Sequence, residues 1–315
     1  LYGDLTEDRL IAYTFDKYLN GEGDDWPLLV PMVESAVRAM DAVQSYTKEV
    51  MQLDIQGFIV SGASKRGWTT WLTAAADERV RGIAPMVIDM LNLTPQMEQQ
   101  KKTYGGFSEQ IRPYTDLNIQ ERMRTDIGAR LRALVDPYEY RNLLLLPKLI
   151  VLGTNDPFWT VNASSHYFPD LKHPKAMFYL PNGDHGLGLG ILPTMASFFR
   201  ATLSGKTLPE FTWSTPSTGT LVAKWRDRSG EARLWQAHSH NRDFREVEWT
   251  STDIEGALSC KAELSTPEEG WNAYFIEVRF RDGENRPCRL STEIQVRPDT
   301  FPYELSEESG AEKQK

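Results

Sequence analysis

One serine stands among small residues in the segment Val60-Ser61-Gly62-Ala63-Ser64-Lys65-Arg66-Gly67-Trp68. At a sharp turn from a strand into a helix, a serine hydroxyl projects beyond the sheet and can act as a nucleophile, if neighbouring glycines leave it room. The spacing departs by one residue from the common Gly-x-Ser-x-Gly pattern, because Arg66 occupies the position of the second glycine. Taken alone, the pattern also fits a glycine-rich turn that serves only packing.

Two possible partners for this serine follow later apolar runs. Asp156 comes after the run that ends in Leu152, and His185 comes after the run that ends in Leu180. The order Ser64, Asp156, His185 is the order of an α/β-hydrolase triad, in which the histidine takes the serine proton and the carboxylate orients the imidazole. Asp156 could instead cap a turn before Pro157, and Asp89 is the rival acid.

Three neighbouring side chains complete the predicted site. The backbone N–H of Lys65, at the start of a helix, can donate to a developing oxyanion. Because cations oppose the dipole at a helix N-terminus, Lys65 and Arg66 predict a nearby carboxylate or anion. Arg66 fits either a substrate carboxylate or a structural aspartate, and the structural role is favoured. Trp159 is expected in the pocket wall or the core.

The elements around these residues alternate between strand and helix. Periodicity predicts helices over 6–19, 28–47, 68–76 and 187–203, and strands over 56–61, 82–88, 148–153 and 176–180. A polar helical insertion over about 94–136 is expected to form a lid. The alternation indicates an α/β fold with a mostly parallel, doubly wound sheet, and a catalytic domain over 1–205. Since only a short stretch precedes Ser64, we expect this domain to be truncated at its N-terminus, without its first strands and a signal peptide.

The last third of the chain has a different hydrophobic pattern. Alternating apolar and polar residues predict strands over 220–226, 233–237, 246–250, 274–281 and 290–296, and therefore an immunoglobulin-like or fibronectin III-like β-sandwich over 210–300. Residues 304–315 are predicted to be a disordered tail. Cys260 and Cys288 either bridge two strands or remain two buried thiols. The tryptophans of this domain fit a sandwich core better than a sugar-stacking surface.

Composition excludes several classes of function. The 315 residues carry a formal charge of −9, which argues against a nucleic-acid partner. The longest apolar stretch, 143–152, is interrupted by Pro147-Lys148 and is too short to span a membrane. His238-Ser-His240 lacks further ligands for a zinc site, so neither a metal nor an organic cofactor is expected, and His166 and His173 are interpreted as solvated.

Several long motifs resemble those of the PhoPQ-activated pathogenicity-related proteins. They are Ile11-Ala-Tyr-Thr-Phe-Asp-Lys-Tyr-Leu19, Trp26-Pro27, the segment Pro31 to Asp41, Ser61 to Trp71, and Gly153-Thr-Asn-Asp-Pro-Phe-Trp159. The resemblance covers essentially the whole chain and implies an exported, secreted or periplasmic, α/β-hydrolase of the serine type, with Ser64, Asp156 and His185 as its triad. The Gly-x-Ser-basic-x-Gly arrangement also resembles glucuronoyl esterases, in which the basic residue after the serine aids the oxyanion, so Lys65 becomes a candidate for that role.

We therefore expect a serine hydrolase that cleaves a small-molecule or glycan-linked ester through an acyl-enzyme. One alternative is a non-catalytic signalling or binding protein that uses the β-domain to meet a protein partner. Another is a glucuronoyl or acetyl-type glycan esterase. The hydrolase and the non-catalytic protein predict different geometry, because only a catalyst needs Ser64, His185 and Asp156 within hydrogen-bond reach of one another.

Overall fold

The computed structural model of the chain describes residues 2–215, 219–226, 230–281 and 286–305. Two helices precede the first strand, α1 (Glu7–Leu19) and α2 (Leu29–Val50). The apolar side chains of α1, among them Ile11 and Phe15, recur at helical spacing and are buried. Its first turn is acidic, with Glu7 and Asp8, and this turn contacts the candidate site.

A four-stranded parallel sheet forms the centre of the first domain. Its strands are β1 (Phe58–Ala63), β2 (Val80–Met86), β3 (Lys148–Gly153) and β4 (Lys175–Leu180), in the order β1-β2-β3-β4. Helix α3 (Lys65–Ala76) connects β1 to β2, and α8 (Leu192–Leu203) follows β4. The predicted α/β class with a parallel sheet is confirmed. Because the strands are parallel, the loops after β1, β3 and β4 leave the same edge of the sheet.

The insertion between β2 and β3 is helical, as its composition predicted. It contains α4 (Leu93–Tyr104), α5 (Arg112–Thr115), α6 (Ile119–Arg122) and α7 (Asp126–Val135). The insertion also contains short 3₁₀ turns at Glu109–Ile111 and Pro137–Tyr140. Three more lie outside it, at Ala163–His166, Phe168–Asp170 and Leu189–Ile191. The indole N–H of Trp68 donates to the carbonyl of Val135 at 2.5 Å, which ties α7 to α3. The insertion therefore packs over the helix that follows the serine turn.

Two antiparallel sheets follow. Strands β5 (Phe211–Ser214), β6 (Thr220–Trp225) and β9 (Ser259–Glu263) form one, in the order β5-β6-β9. The other has the order β11-β10-β7-β8, with β12 also on β10, and consists of β7 (Glu231–Ser239), β8 (Thr250–Ile254), β10 (Trp271–Arg281), β11 (Pro287–Ser291) and β12 (Gln295–Arg297). Side chains of both sheets share one apolar core, which is the arrangement of a sandwich.

Some predicted strand positions were wrong. The strand expected over 246–250 begins only at Thr250, and the run 290–296 is divided between β11 and β12. Strands β5 and β9 were not predicted. In β9 the inward residues are Cys260 and Ala262, whose small side chains give a weak alternating pattern.

The two cysteines are buried thiols and no disulfide joins them. Cys260 lies in β9 and Cys288 in β11, which belong to different sheets. Burial raises the pKa of the Cys260 thiol to about 11. Of the predicted tail, residues 306–315 lie outside the described part of the chain.

The β-sandwich packs directly against the parallel sheet. The backbone N–H of Tyr179 in β4 donates to Ser291 Oγ in β11 at 3.1 Å, and the rings of Tyr179 and Phe275 lie 5.8 Å apart. Further along the interface, the N–H of Arg289 donates to Thr194 Oγ1 on α8 at 3.0 Å. Within the described ranges, no helix combines the length and apolarity that a membrane crossing requires.

Candidate active site

Ser64 occupies a strained turn between β1 and α3. Its backbone has φ 55° and ψ −125°, a conformation that non-glycine residues rarely adopt. The turn is held by the N–H of Ser64, which donates to the carbonyl of Met86 at 2.8 Å, and by the N–H of Trp68, which donates to the carbonyl of Ser64 at 2.9 Å. A β-carbon on Gly62 would lie 2.6 Å from the carbonyl oxygen of Arg66, so the predicted need for small residues is confirmed here.

Asp156 and His185 meet at the same edge of the sheet. The Nδ1 atom of His185 lies 2.9 Å from Oδ2 and 3.0 Å from Oδ1 of Asp156. Asp156 is buried, and its Oδ1 also accepts the backbone N–H of Phe158 at 3.0 Å. The Phe158 ring stacks on the imidazole with centroids 4.2 Å apart. The contact with the carboxylate places the imidazole proton on Nδ1 and leaves Nε2 as the basic nitrogen.

Ser64 and His185 line one cleft. Among the described hydrogen bonds none joins Ser64 Oγ to the imidazole ring, although catalytic hydrogen bonds of ligand-free enzymes often tighten only when substrate binds. The structure thus brings the predicted base and acid into direct contact and places the serine and the histidine on the wall of one cleft. This arrangement can support proton transfer from the hydroxyl once a side-chain movement brings Ser64 Oγ to His185 Nε2.

Among the described hydrogen bonds, none joins the rival acid, Asp89, to His185. Asp89 is 5% exposed and shares a small internal cavity with Asp156 and Tyr179. Burial raises the pKa of Asp89 to about 8, with a further contribution from the negative charge of Asp156. A carboxyl group that is mostly protonated at neutral pH is a poor partner for an imidazolium ion. The geometry therefore favours Asp156 over Asp89 as the acid.

Lys65 has the carboxylate partner that its position predicted. Its Nζ lies 2.7 Å from Asp8 Oδ2 and 3.4 Å from Ser64 Oγ, and the side chain is 12% exposed. The other oxygen of Asp8 accepts the hydroxyl of Tyr114 at 3.0 Å. Since Lys65 is also the first residue of α3, its backbone N–H has no acceptor within the helix. Both nitrogens of Lys65 are thus available beside the serine.

Arg66 and Trp159 have different surroundings. The guanidinium of Arg66 pairs with Glu7 at 2.6 and 2.7 Å and is 60% exposed, and Arg66 is not among the residues that line the cleft. This ion pair lowers the pKa of Glu7 to about 2. Arg66 thus makes the structural pair that the sequence favoured, with a glutamate as its partner. Trp159 lines the cleft, as expected for a wall residue.

The cleft is mainly apolar and partly open to solvent. Aromatic and methionine side chains make up much of its wall, among them Trp68, Trp159, Met90, Met97 and Met123. Helices α4, α6 and α7 of the insertion contribute residues to it. A cleft of this polarity can accept an apolar group next to the serine.

Sequence reasoning missed several residues at this site. Asp8 gave only the signal of an acidic helix start, and nothing local linked it to Lys65, which is 57 positions away. Phe158 gave no signal beyond its place beside Asp156. The interpretation of His166 as solvated was wrong, because His166 is half-buried and its Nε2 lies 2.6 Å from Gln99 Oε1. His238 lies outside the site, with its Nδ1 2.8 Å from Asn272 Oδ1.

Known proteins resemble this chain at the level of family. The model of the PhoPQ-activated pathogenicity-related protein family matches residues 2–245. A curated relative, autocrine proliferation repressor protein A of Dictyostelium discoideum, is 28% identical over 335 residues, which cover 94% of this chain and 67% of the relative.

Solved structures overlap with only part of the chain. An acetyl xylan esterase from a Paenibacillus species is 18% identical, with a TM-score of 0.39 over 55% of this chain and 52% of its own. An acylaminoacyl peptidase from Pyrococcus horikoshii is 13% identical, with a TM-score of 0.41 over 54% of this chain and 27% of its own. The chain spans about half or less of the length of these two proteins, and overlaps of this extent carry no argument about its activity.

Proposed function

This chain belongs to the family of PhoPQ-activated pathogenicity-related proteins, and we propose that it is a serine hydrolase that cleaves carboxylic esters. The observation that carries the proposal is the contact of His185 Nδ1 with both oxygens of buried Asp156, since His185 lines the cleft that also contains the strained Ser64. A packing turn would require neither the strained serine nor an imidazole held by a carboxylate.

In the proposed reaction, Ser64 Oγ attacks the ester carbonyl carbon while His185 Nε2 accepts the hydroxyl proton. The C–O bond to the leaving group then breaks, and the alcohol departs with the proton that His185 returns to it. A water molecule repeats the sequence on the acyl-enzyme, so the acid leaves and Ser64 regains its proton. Asp156 keeps the imidazole in the correct tautomer and stabilises the imidazolium that forms in each half-reaction.

Lys65 is the proposed stabiliser of the oxyanion. Its backbone N–H stands at the start of α3, and its ammonium lies 3.4 Å from Ser64 Oγ. Negative charge develops on the carbonyl oxygen close to this position, and donors that are already oriented stabilise it without reorganisation. Asp8 and Tyr114 hold the ammonium in place through the contacts described above.

The apolar cleft favours an ester with an apolar acyl or alkyl group. Each buried methylene contributes about 0.8 kcal/mol to binding, so longer chains are expected to be better substrates until the cleft is filled. A glucuronoyl or acetyl-type glycan esterase remains the alternative for the same machinery, and it would act on uronate or acetylated sugars. Export to the periplasm or the cell exterior is proposed from family membership.

A non-catalytic binding or signalling protein is the second candidate. Two observations favour it: the relative from Dictyostelium discoideum is described as a proliferation repressor, and Ser64 makes no described hydrogen bond to His185. In that case the β-sandwich would present a surface to a protein partner, and the cleft would not turn over esters.

The two candidates are separated by active-site labelling with a fluorophosphonate probe. We expect the protein to be labelled, and labelling to be lost in Ser64→Ala and His185→Ala. Ser61→Ala is the matched control, because Ser61 lies in β1 with its hydroxyl bonded to the carbonyl of Ala84 at 2.7 Å and is not part of the cleft wall. Labelling that persists in Ser64→Ala, or none in the natural protein, would refute the hydrolase.

A further inference from the structure

One segment of the β-sandwich contacts both loops that carry the candidate acid and base. Residues 244–249, here called the 244–249 segment, form the second part of the connection between β7 and β8 and contain no strand. The segment makes these contacts through its backbone: four carbonyl groups accept hydrogen bonds and one N–H donates a hydrogen bond at the edge of the parallel sheet. Two asparagines of the catalytic domain meet these groups.

Asn155, next to Asp156 in sequence, donates through its side-chain amide to the 244–249 segment. Its Nδ2 lies 2.8 Å from the carbonyl oxygen of Val247, 3.2 Å from that of Arg245 and 3.3 Å from that of Phe244. Three carbonyl groups that lie about 90 positions further along the chain therefore converge on one NH₂ group. The loop that ends in Asp156 is thus attached to the second domain at the residue before the carboxylate.

Asn182, three positions before His185, pairs with the other end of the same segment. Its Nδ2 donates to the carbonyl of Trp249 at 3.0 Å, and its Oδ1 accepts the N–H of Trp249 at 2.8 Å. The two loops are also joined to each other, because the N–H of Asn182 donates to Thr154 Oγ1 at 2.8 Å and the N–H of Asn155 donates to the carbonyl of Gly183 at 2.9 Å. The acid loop and the histidine loop therefore form one hydrogen-bonded unit with the segment.

The 244–249 segment is itself firmly packed. Phe244 and Trp249 are each 2% exposed, and Trp249 lies 5.4 Å from Phe275 in the core between the domains. At the outer side, the guanidinium of Arg245 lies 4.2 Å above the ring of Tyr104 on α4, whose hydroxyl donates to the carbonyl of Trp159. Because buried aromatic residues anchor both ends, the segment can serve as a fixed support for the loops.

We propose that the β-sandwich positions the catalytic pair: Asn155 and Asn182 fix the Asp156 and His185 loops to the 244–249 segment and so set the distance and angle between imidazole and serine. This inference rests on the proposed hydrolase function. Asn155 and Asn182 are positioning residues, since they touch neither the reacting atoms nor the cleft. The role of the second domain is therefore to hold the active site, and a partner-binding role is not required to explain its presence.

The test compares Asn155→Ala and Asn182→Gly with Thr194→Val in the full chain. Glycine is chosen at position 182 because Asn182 has φ 55°, which alanine would adopt only with strain. Thr194→Val is the matched control, because it also removes one hydrogen bond between the domains, the one from the N–H of Arg289, and Thr194 lies on α8 and not on either loop. Hydrolysis of an apolar ester and hydrogen exchange of residues 154–158 and 181–187 are measured for each variant.

We expect the asparagine variants to lose about 10- to 100-fold in kcat with little change in KM, since small displacements of catalytic groups affect the chemical step most. Exchange in the two loops should become faster in them and stay unchanged in Thr194→Val. If both asparagine variants keep the kcat and the loop exchange of Thr194→Val, the positioning role is refuted. The exchange result stands whether or not the protein hydrolyses esters, so failure of the hydrolase proposal can be told apart from failure of this one.

Discussion

Replacing Lys65 with methionine tests whether the ammonium beside Ser64 acts in catalysis. The methionine side chain fills a similar volume in a position that is 12% exposed, so the main change is the loss of the charge. The same change at Arg66 is the matched control, because Arg66 is the next residue, carries the same charge and does not line the cleft; its partner Glu7 also lies 3.4 Å from Lys65 Nζ, so both variants alter the charge around Glu7.

The expected effect follows from the distances around Nζ. An oxyanion at ~3.5 Å from the ammonium gains about 5 kcal/mol at an effective dielectric constant of ~20, and the Asp8 carboxylate, at roughly 6 Å, opposes this with about 3 kcal/mol. Asp8 remains in Lys65→Met, so its repulsion cancels in the comparison, and the variant loses the ammonium attraction of about 5 kcal/mol, which corresponds to a loss of kcat of ~10³- to 10⁴-fold. We expect KM to change little, because the charge develops in the transition state.

The assay is steady-state hydrolysis of an apolar ester, together with thermal unfolding of each variant. Thermal unfolding detects any destabilisation from removing the ammonium beside Asp8, whose other described hydrogen bond is with the Tyr114 hydroxyl. A kcat of Lys65→Met within about threefold of the natural protein would contradict the electrostatic argument. So would an equal loss in Arg66→Met, because that would indicate a general effect of charge at the start of α3.

Two further predictions concern the buried carboxyl group and the cleft. Folded Asp89, with its pKa raised to about 8, binds a proton that the unfolded chain releases near pH 4, so folding should become less favourable as the pH rises between these values. Asp89→Asn should remove this dependence on pH. The free energy of unfolding of the variant should therefore exceed that of the natural protein by an amount that grows by on the order of 3 kcal/mol from pH 5 to pH 8. Urea unfolding at both pH values measures this difference, and an equal difference at both would be the contrary result. Met97→Trp should narrow the cleft and lower kcat/KM for octanoyl esters at least ~10-fold more than for acetyl esters; a parallel loss for both esters would show that Met97 does not limit chain length.

The order of the helices and strands, and the edge of the parallel sheet at which the candidate site lies, could be predicted from the sequence. Buried runs such as Lys148–Gly153 have a strong local signal, and a serine between glycines at the end of a strand predicts a turn at the edge of a parallel sheet. The sandwich was predicted as a class, but β9 was missed because its inward residues are small. The positions of Ser64, Asp156 and His185 along the chain likewise placed them at one edge of the sheet.

By itself the sequence determined which residue types follow which strands, because strand and helix periodicity is local and side chains after parallel strands share an edge. Only the tertiary structure decided which of these groups touch. It selected Asp156 over Asp89 through the contact with His185, placed Asp8 on Lys65, and joined Asn155 to a segment about 90 positions later. Such contacts depend on how helices and domains pack, and no periodicity within either segment encodes the distance between two distant side chains.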